Sequence, residues 1–178
     1  MAEIAGLKLI VPSSVAGSGV SLSGAKVVFT AATTININGV FSATHDNYLL
    51  VMRMKPTSGN PNINSRMRAS GTDATGTNYT WQYLIADNTS VTGARSSSQS
   101  AATIGFTSTV EGGMHLYIYG PYLAQPTAMR DVGVSGYLNA YIQDDANTHS
   151  LSTSYDGITL YPASSSITGA LTIYGLSQ

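Results

Sequence analysis

Cysteine is absent from this sequence, which closes off both a disulfide framework and a thiolate metal site. Charge is scarce. Asp, Glu, Lys and Arg make up 10% of the 178 residues and sum to −1, where an average globular protein carries about 25% charged residues. Binding a phosphate backbone takes clustered Lys and Arg that release counterions. The only local basic group is Arg66 and Arg68 with Arg53 and Lys55. On neighbouring strands such residues ordinarily decorate a solvated face, so nucleic acid is not an expected partner. Long apolar runs are missing as well. None approaches the ~20 residues that span a bilayer, so membrane insertion is not expected. The start, Met1-Ala2-Glu3-Ile4, has no basic segment followed by an apolar stretch. It therefore predicts no signal peptide and synthesis in the cytoplasm.

What fills the chain is Ser, Thr, Asn, 18 glycines and 11 tyrosines over a 43% hydrophobic background. A disordered chain would combine low hydrophobicity with high net charge, and this one does neither. The length suits one domain. Apolar residues recur with period two. Tyr48, Leu50, Met52 and Met54 share one face of a strand, as do Tyr79, Trp81, Tyr83 and Ile85. Met114, Leu116 and Ile118 alternate with His115, Tyr117 and Tyr119, and Leu171 and Ile173 alternate with Thr172 and Tyr174. Helical periodicity does not occur. Turn chemistry punctuates these runs at Asn38-Gly39, Ser58-Gly59-Asn60-Pro61, Gly71-Thr72-Asp73, Asn88-Thr89, Gly112-Gly113, Asp144-Asp145-Ala146-Asn147 and Asp156-Gly157. Asn38-Gly39 and Asp156-Gly157 suit hairpin turns.

Leu7 to Pro12 reads as a short strand, and Ser13 to Gly24 as a flexible Ser/Gly-rich connector. Residues 1–24 are thus expected as an N-terminal arm and connector, and residues 25–178 as the main domain. The Ser-rich stretch Ala94 to Ala102 reads as a surface loop. About ten short antiparallel strands without helices predict an all-β antiparallel sandwich of jelly-roll type, with an immunoglobulin-like sandwich as runner-up.

A search for chemistry returns little. His45, His115 and His149 show no metal-ligand spacing and no partner to orient a base. Asp144, Asp145 and Asp156 would meet if their loops share one end of the sandwich, with Asn147 adding an oxygen. A calcium ion needs ~6–8 oxygen ligands and no calcium-loop signature is present, so two polar turns are the simpler reading. Gly17-Ser18-Gly19 precedes no helix and there is no Gly-x-Ser-x-Gly elbow. No catalytic residue, metal or cofactor is expected. Surface chemistry remains. Tyrosine adds contact area at modest entropic cost and can stack on sugar rings. Tyr117, Tyr119, Tyr122, Tyr137 and Tyr141 are the candidate binding residues, with packing in the core or between subunits as the alternative for each.

Several blocks resemble small virion proteins of tailed bacteriophages. Thr33-Thr34-Ile35-Asn36-Ile37-Asn38-Gly39-Val40-Phe41-Ser42-Ala43-Thr44-His45-Asp46-Asn47-Tyr48 is one. Arg66-Met67-Arg68-Ala69-Ser70-Gly71-Thr72-Asp73 with Asn78-Tyr79 is another. Gly120-Pro121-Tyr122-Leu123-Ala124-Gln125-Pro126-Thr127 follows, and then the ending from Tyr155-Asp156-Gly157 to Tyr174-Gly175. The resemblance implies a sandwich domain on a tail fibre, spike, tail tip or capsid. Such a structural component would contact other virion proteins and copies of itself, a homotrimer being favoured, and would leave the host by lysis. The alternative is a receptor-binding domain for a host glycan or surface protein. A glycan depolymerase, which needs two placed carboxyl groups, ranks last.

Overall fold

The computed structural model describes residues 6–135 and 140–176. They form β1 (Leu7–Ile10), β2 (Ser14–Ala16), β3 (Val20–Ser23), β4 (Lys26–Ala32), β5 (Ile35–Asn38), β6 (Asn47–Pro56), β7 (Asn62–Ala69) and β8 (Thr72–Asp73). The second half gives β9 (Tyr79–Asp87), β10 (Ser90–Gln99), β11 (Ala102–Phe106), β12 (Gly112–Tyr119), β13 (Thr127–Ser135), β14 (Tyr141–His149), β15 (Gly157–Pro162) and β16 (Ile167–Leu176). Two antiparallel sheets pack as a sandwich. The larger runs β10-β9-β14-β13-β12-β6-β16-β4-β3, with β1 also pairing β16; the smaller runs β11-β7-β15-β5-β2, with β8 also pairing β7.

The winding is that of a jelly roll. β4 pairs with β16, β5 with β15, β6 with β12, and β7 with β11. The outward run from β4 to β7 therefore lies antiparallel to the return from β11 to β16. Together they make a double-stranded ribbon folded over on itself, each consecutive pair of strands crossing between sheets. The immunoglobulin-like alternative has no such ribbon. Two hairpins interrupt the roll. β9–β10 lies between β7 and β11 in sequence, β13–β14 between β12 and β15, and both add to the larger sheet. That sheet consequently overhangs β11, the edge of the smaller one.

Alternation decides the core. Tyr48, Leu50, Met52 and Met54 of β6 face Ile35 and Ile37 of β5, Ile63 and Met67 of β7, and Ile158 and Leu160 of β15, all buried. At ~0.8 kcal/mol per buried CH2, these side chains supply the main driving force for closing the two sheets. Tyr79 is fully buried as well. Its hydroxyl accepts the Met67 N–H and donates to the Ala74 carbonyl, each at 3.0 Å.

Several sequence expectations change. Within the stretch from Ser13 to Gly24, expected as a connector, β2 pairs β5 and β3 pairs β4. Ser and Thr tolerate extended backbone on an exposed edge, so composition alone suggested a loop. The Ser-rich stretch from Ala94 to Ala102 is largely strand for the same reason. It holds the second half of β10, paired with β9, and the first residue of β11. Asp144 to Asn147 is no reversal but the middle of β14, which His149 ends. Gly112-Gly113 opens β12. Asn38-Gly39 and Asp156-Gly157 make no hairpin. They lie side by side where the chain leaves β5 and enters β15, with the Asp156 carbonyl accepting from the Val40 N–H at 2.9 Å.

Candidate functional site

The overhang creates the site. On β9 the inward face carries Tyr79, Trp81, Tyr83 and Ile85, but the smaller sheet covers only the Tyr79 end. Trp81 and Tyr83 remain half-buried. Being two residues apart on one strand, they share a face, and their rings stack with centroids 5.5 Å apart and planes 12° from parallel. Phe106, the last residue of β11, meets the Tyr83 ring edge-on at 5.3 Å and 85°. The result is a shelf of two parallel rings backed by a third. Across it, β10 places Ser96 opposite Trp81, Ala94 opposite Tyr83 and Thr92 opposite Ile85, so hydroxyl-bearing residues flank the rings.

Next to the shelf is a pocket of about 200 Å³, lined by Asn60, Ile85, Phe106, Thr107, Ser135, Tyr141 and Gln143. Gln143 is buried and fixed at both ends. Its Oε1 accepts the Phe106 N–H at 2.8 Å, and its Nε2 donates to Asp145 Oδ2. A side chain held this way pins the end of β11 and hence the ring of Phe106.

Behind Gln143 lie two carboxyl groups. Asp131 of β13 and Asp145 of β14 face inward and are almost wholly buried. Burial and the neighbouring carboxylates push Asp131 up to about 10. Burial pushes Asp145 up to about 7, against the lowering hydrogen bond from Gln143. Asp131 is therefore protonated at neutral pH. Both groups are buried, and neither is among the residues that line the pocket.

The three aspartates singled out in the sequence do not converge. Asp144 points to the opposite face of β14 and pairs with Arg130, which holds its carboxyl below the usual range. Asp145 is buried, and Asp156 accepts the Ser70 N–H at 3.2 Å. Among the described residues no three His, Cys, Asp or Glu side chains gather as a metal cage. The basic group disperses too. Arg53 lies on the larger sheet with Glu111, whereas Arg68 is buried on the smaller sheet against Asp73, Asn36, Asn38 and Thr159. A solvated face was expected for it; short β8 covers it instead.

The histidines are accounted for by packing. His149 is buried, with Nε2 2.9 Å from the Tyr155 hydroxyl and its ring against Tyr79, and burial lowers its pKa. His45 lies edge-on to Tyr48, while His115 stands on the outer face of the larger sheet.

Nor do the five candidate tyrosines form one surface. Tyr117 and Tyr119 stack at 6.4 Å on the outer face of the larger sheet, away from the shelf. Tyr122 is in the loop after β12. Tyr141 lines the pocket beside Phe106. Tyr137 lies outside the described residues. The shelf residues Trp81 and Tyr83 were visible in the sequence only as alternating strand residues. Their spacing signals a shared face, and nothing local signals that this face is uncovered.

No protein-family model matches the sequence, and no curated protein does. Among solved structures, the chain is similar to a mutant of the GH43 protein BlXynB from Bacillus licheniformis at 10% identity and a TM-score of 0.40, covering 90% of this chain and 35% of that one. The chain thus spans about a third of that protein's length. It is also similar to the C-terminal CBM6 of LamC, a marine laminarinase from Zobellia galactanivorans, at 10% identity and a TM-score of 0.35, covering 96% and 99%. A third is the galectin LEC-6 of Caenorhabditis elegans at 8% identity and a TM-score of 0.36, covering 87% and 99%. Likenesses this distant do not bear on what this chain binds.

Proposed function

We propose that this chain is a non-catalytic surface protein of a tailed-phage particle that binds host-surface glycan on the Trp81–Tyr83 shelf. The carrying observation is the parallel pair of half-exposed rings beside a pocket with fixed polar lining. An aromatic face receives the C–H face of a pyranose, while flanking hydroxyls and amides take its hydroxyl groups. Such a ligand needs no charge, which agrees with a chain in which only 10% of residues are charged. The virion setting rests on the sequence blocks that run from Thr33 to Gly175. A lysis-released particle protein needs no disulfides, and this chain has no cysteine.

Trp81 is the only tryptophan, so its fluorescence reports directly on the shelf. Titration with purified host-surface polysaccharide is expected to change its emission saturably. Tyr83→Ala should weaken binding at least tenfold, and Trp81→Ala should do the same in a calorimetric titration. Unaltered emission, with no labelling of host cells by the purified protein, would remove the glycan reading.

A further inference from the structure

The overhanging hairpin ends in an open edge. β10 pairs with β9 on one side, and among the described residues no strand pairs with its other side. Exposed edges are normally blunted by Pro, Lys, inward charge or short length. β10 is 10 residues long, has no Pro or Lys, and carries one charge, Arg95. Its only irregularity falls between Ser96 and Gln99, leaving Ser90 to Ser96 in regular register.

The outer face next to this edge is apolar. Val91 is 72% exposed and Leu84 56%. Leu84 is opposite Gly93, and its Cδ2 is 3.1 Å from the position a Gly93 Cβ would take. Gly93 thus leaves the face bare beside the leucine. Behind Val91 the register continues through Ala86 and Ile142 to Val134, the last two 60% and 52% exposed. Charged neighbours on this face, Arg130 with Asp144 and Arg53 with Glu111, already satisfy each other.

We infer that two copies of this chain pair β10 to β10 antiparallel about a two-fold axis near Gly93. In that register Gly93 meets Gly93, and Val91 of each copy lies opposite Arg95 of the other. The backbone groups of Ser90 to Ser96 complete each other's ladder, and the two Leu84 side chains approach over bare glycine backbone. Val91 packs against the aliphatic stem of Arg95, and no like charges face one another. An axis normal to the sheet leaves the sheet's faces unexchanged, so both shelves open on the same side. The bivalence this confers rests on the glycan reading; the pairing itself does not.

Light scattering and native mass spectrometry of the purified chain across micromolar to millimolar concentrations test the pairing. A concentration-dependent dimer is expected. Val91→Lys should weaken it at least tenfold by setting like charges opposite, Val91→Glu should preserve it, and Val91→Lys with Arg95→Glu should restore it. Val91 and Arg95 are exposed, so folding is untouched, which the Trp81 emission of each variant verifies. A monomer throughout, a trimer, or equal effects of Lys and Glu at Val91 would overturn the proposal. None of these outcomes depends on whether glycan binds.

Discussion

Asp131 and Asp145 stand directly opposite one another on β13 and β14, both turned into the sandwich beneath β11. Among the described residues no donor from another residue reaches either oxygen of Asp131, and Gln143 serves only one oxygen of Asp145. Two ionised carboxylates so placed would repel each other in a medium that screens poorly. The protonated state of Asp131 removes that repulsion.

The pair makes stability fall as pH rises. Both groups keep protons in the folded chain well above the ordinary value of 3.8, where the unfolded chain has lost them. The unfolded state then binds fewer protons, so stability declines from about pH 4, through about 7 as Asp145 ionises, towards about 10 for Asp131. Asp131→Asn, which donates without ionising, is expected to raise stability at pH 9 by about 1 kcal/mol or more and to flatten this slope. Urea midpoints at pH 5, 7 and 9 measure it; parallel slopes in both proteins would defeat the assignment.

Arg68 is the cation whose loss should cost most. Arg68→Met strips Asp73 of its ion pair and leaves Asn36, Asn38 and Thr159 without their shared donor. A destabilisation of about 3 kcal/mol is expected, as for other broken buried pairs. Arg53→Met, at an exposed pair, should fall within about 0.5 kcal/mol of the parent protein. Chemical denaturation of the two variants side by side checks the contrast.

Tyr79→Phe removes one oxygen and orphans two backbone groups, the Met67 N–H and the Ala74 carbonyl. About 1–3 kcal/mol should be lost. The Trp81 emission of the folded variant should not move, because the shelf begins beyond the covered end of β9.

Gly169 of β16 lies between its paired neighbours, opposite Met54 of β6 and Phe29 of β4. A Cβ there would lie 2.1 Å from the Arg53 carbonyl oxygen and 2.8 Å from Met54 Cα, both backbone atoms that cannot step aside. Gly169→Ala is expected to lower the thermal midpoint by ten degrees or more, or to abolish soluble expression. Gly59→Ala is the control for expression, since nothing lies within 4 Å of its Cβ. The strain of its positive φ, 66°, should cost only about 1 kcal/mol.

Period-two alternation in β6, β9, β12 and β16 carried the all-β class and most of the core. Each of those strands contrasts an apolar with a polar face, and that contrast is local. The edge strands β2, β3 and β10 escaped the same test. Apart from half-buried Val15 and Val20 their apolar side chains are largely exposed, so Ser, Thr and Gly look alike in strand and loop. Asp144 and Asp145 show the limit from the other direction. Adjacent residues on a strand point to opposite faces, so one became a surface ion pair and the other a buried acid. Their shared letter could not say which.

Sequence alone determined that this chain is a charge-poor, cysteine-free sandwich with its aromatic residues at strand spacing. It also put Trp81 and Tyr83 on one face, because backbone pleating obliges residues two apart to agree. Tertiary structure alone decided that this face is open. The β9–β10 and β13–β14 hairpins widen one sheet past the edge of the other, and coverage by a strand distant in sequence leaves no mark on the residues it fails to cover.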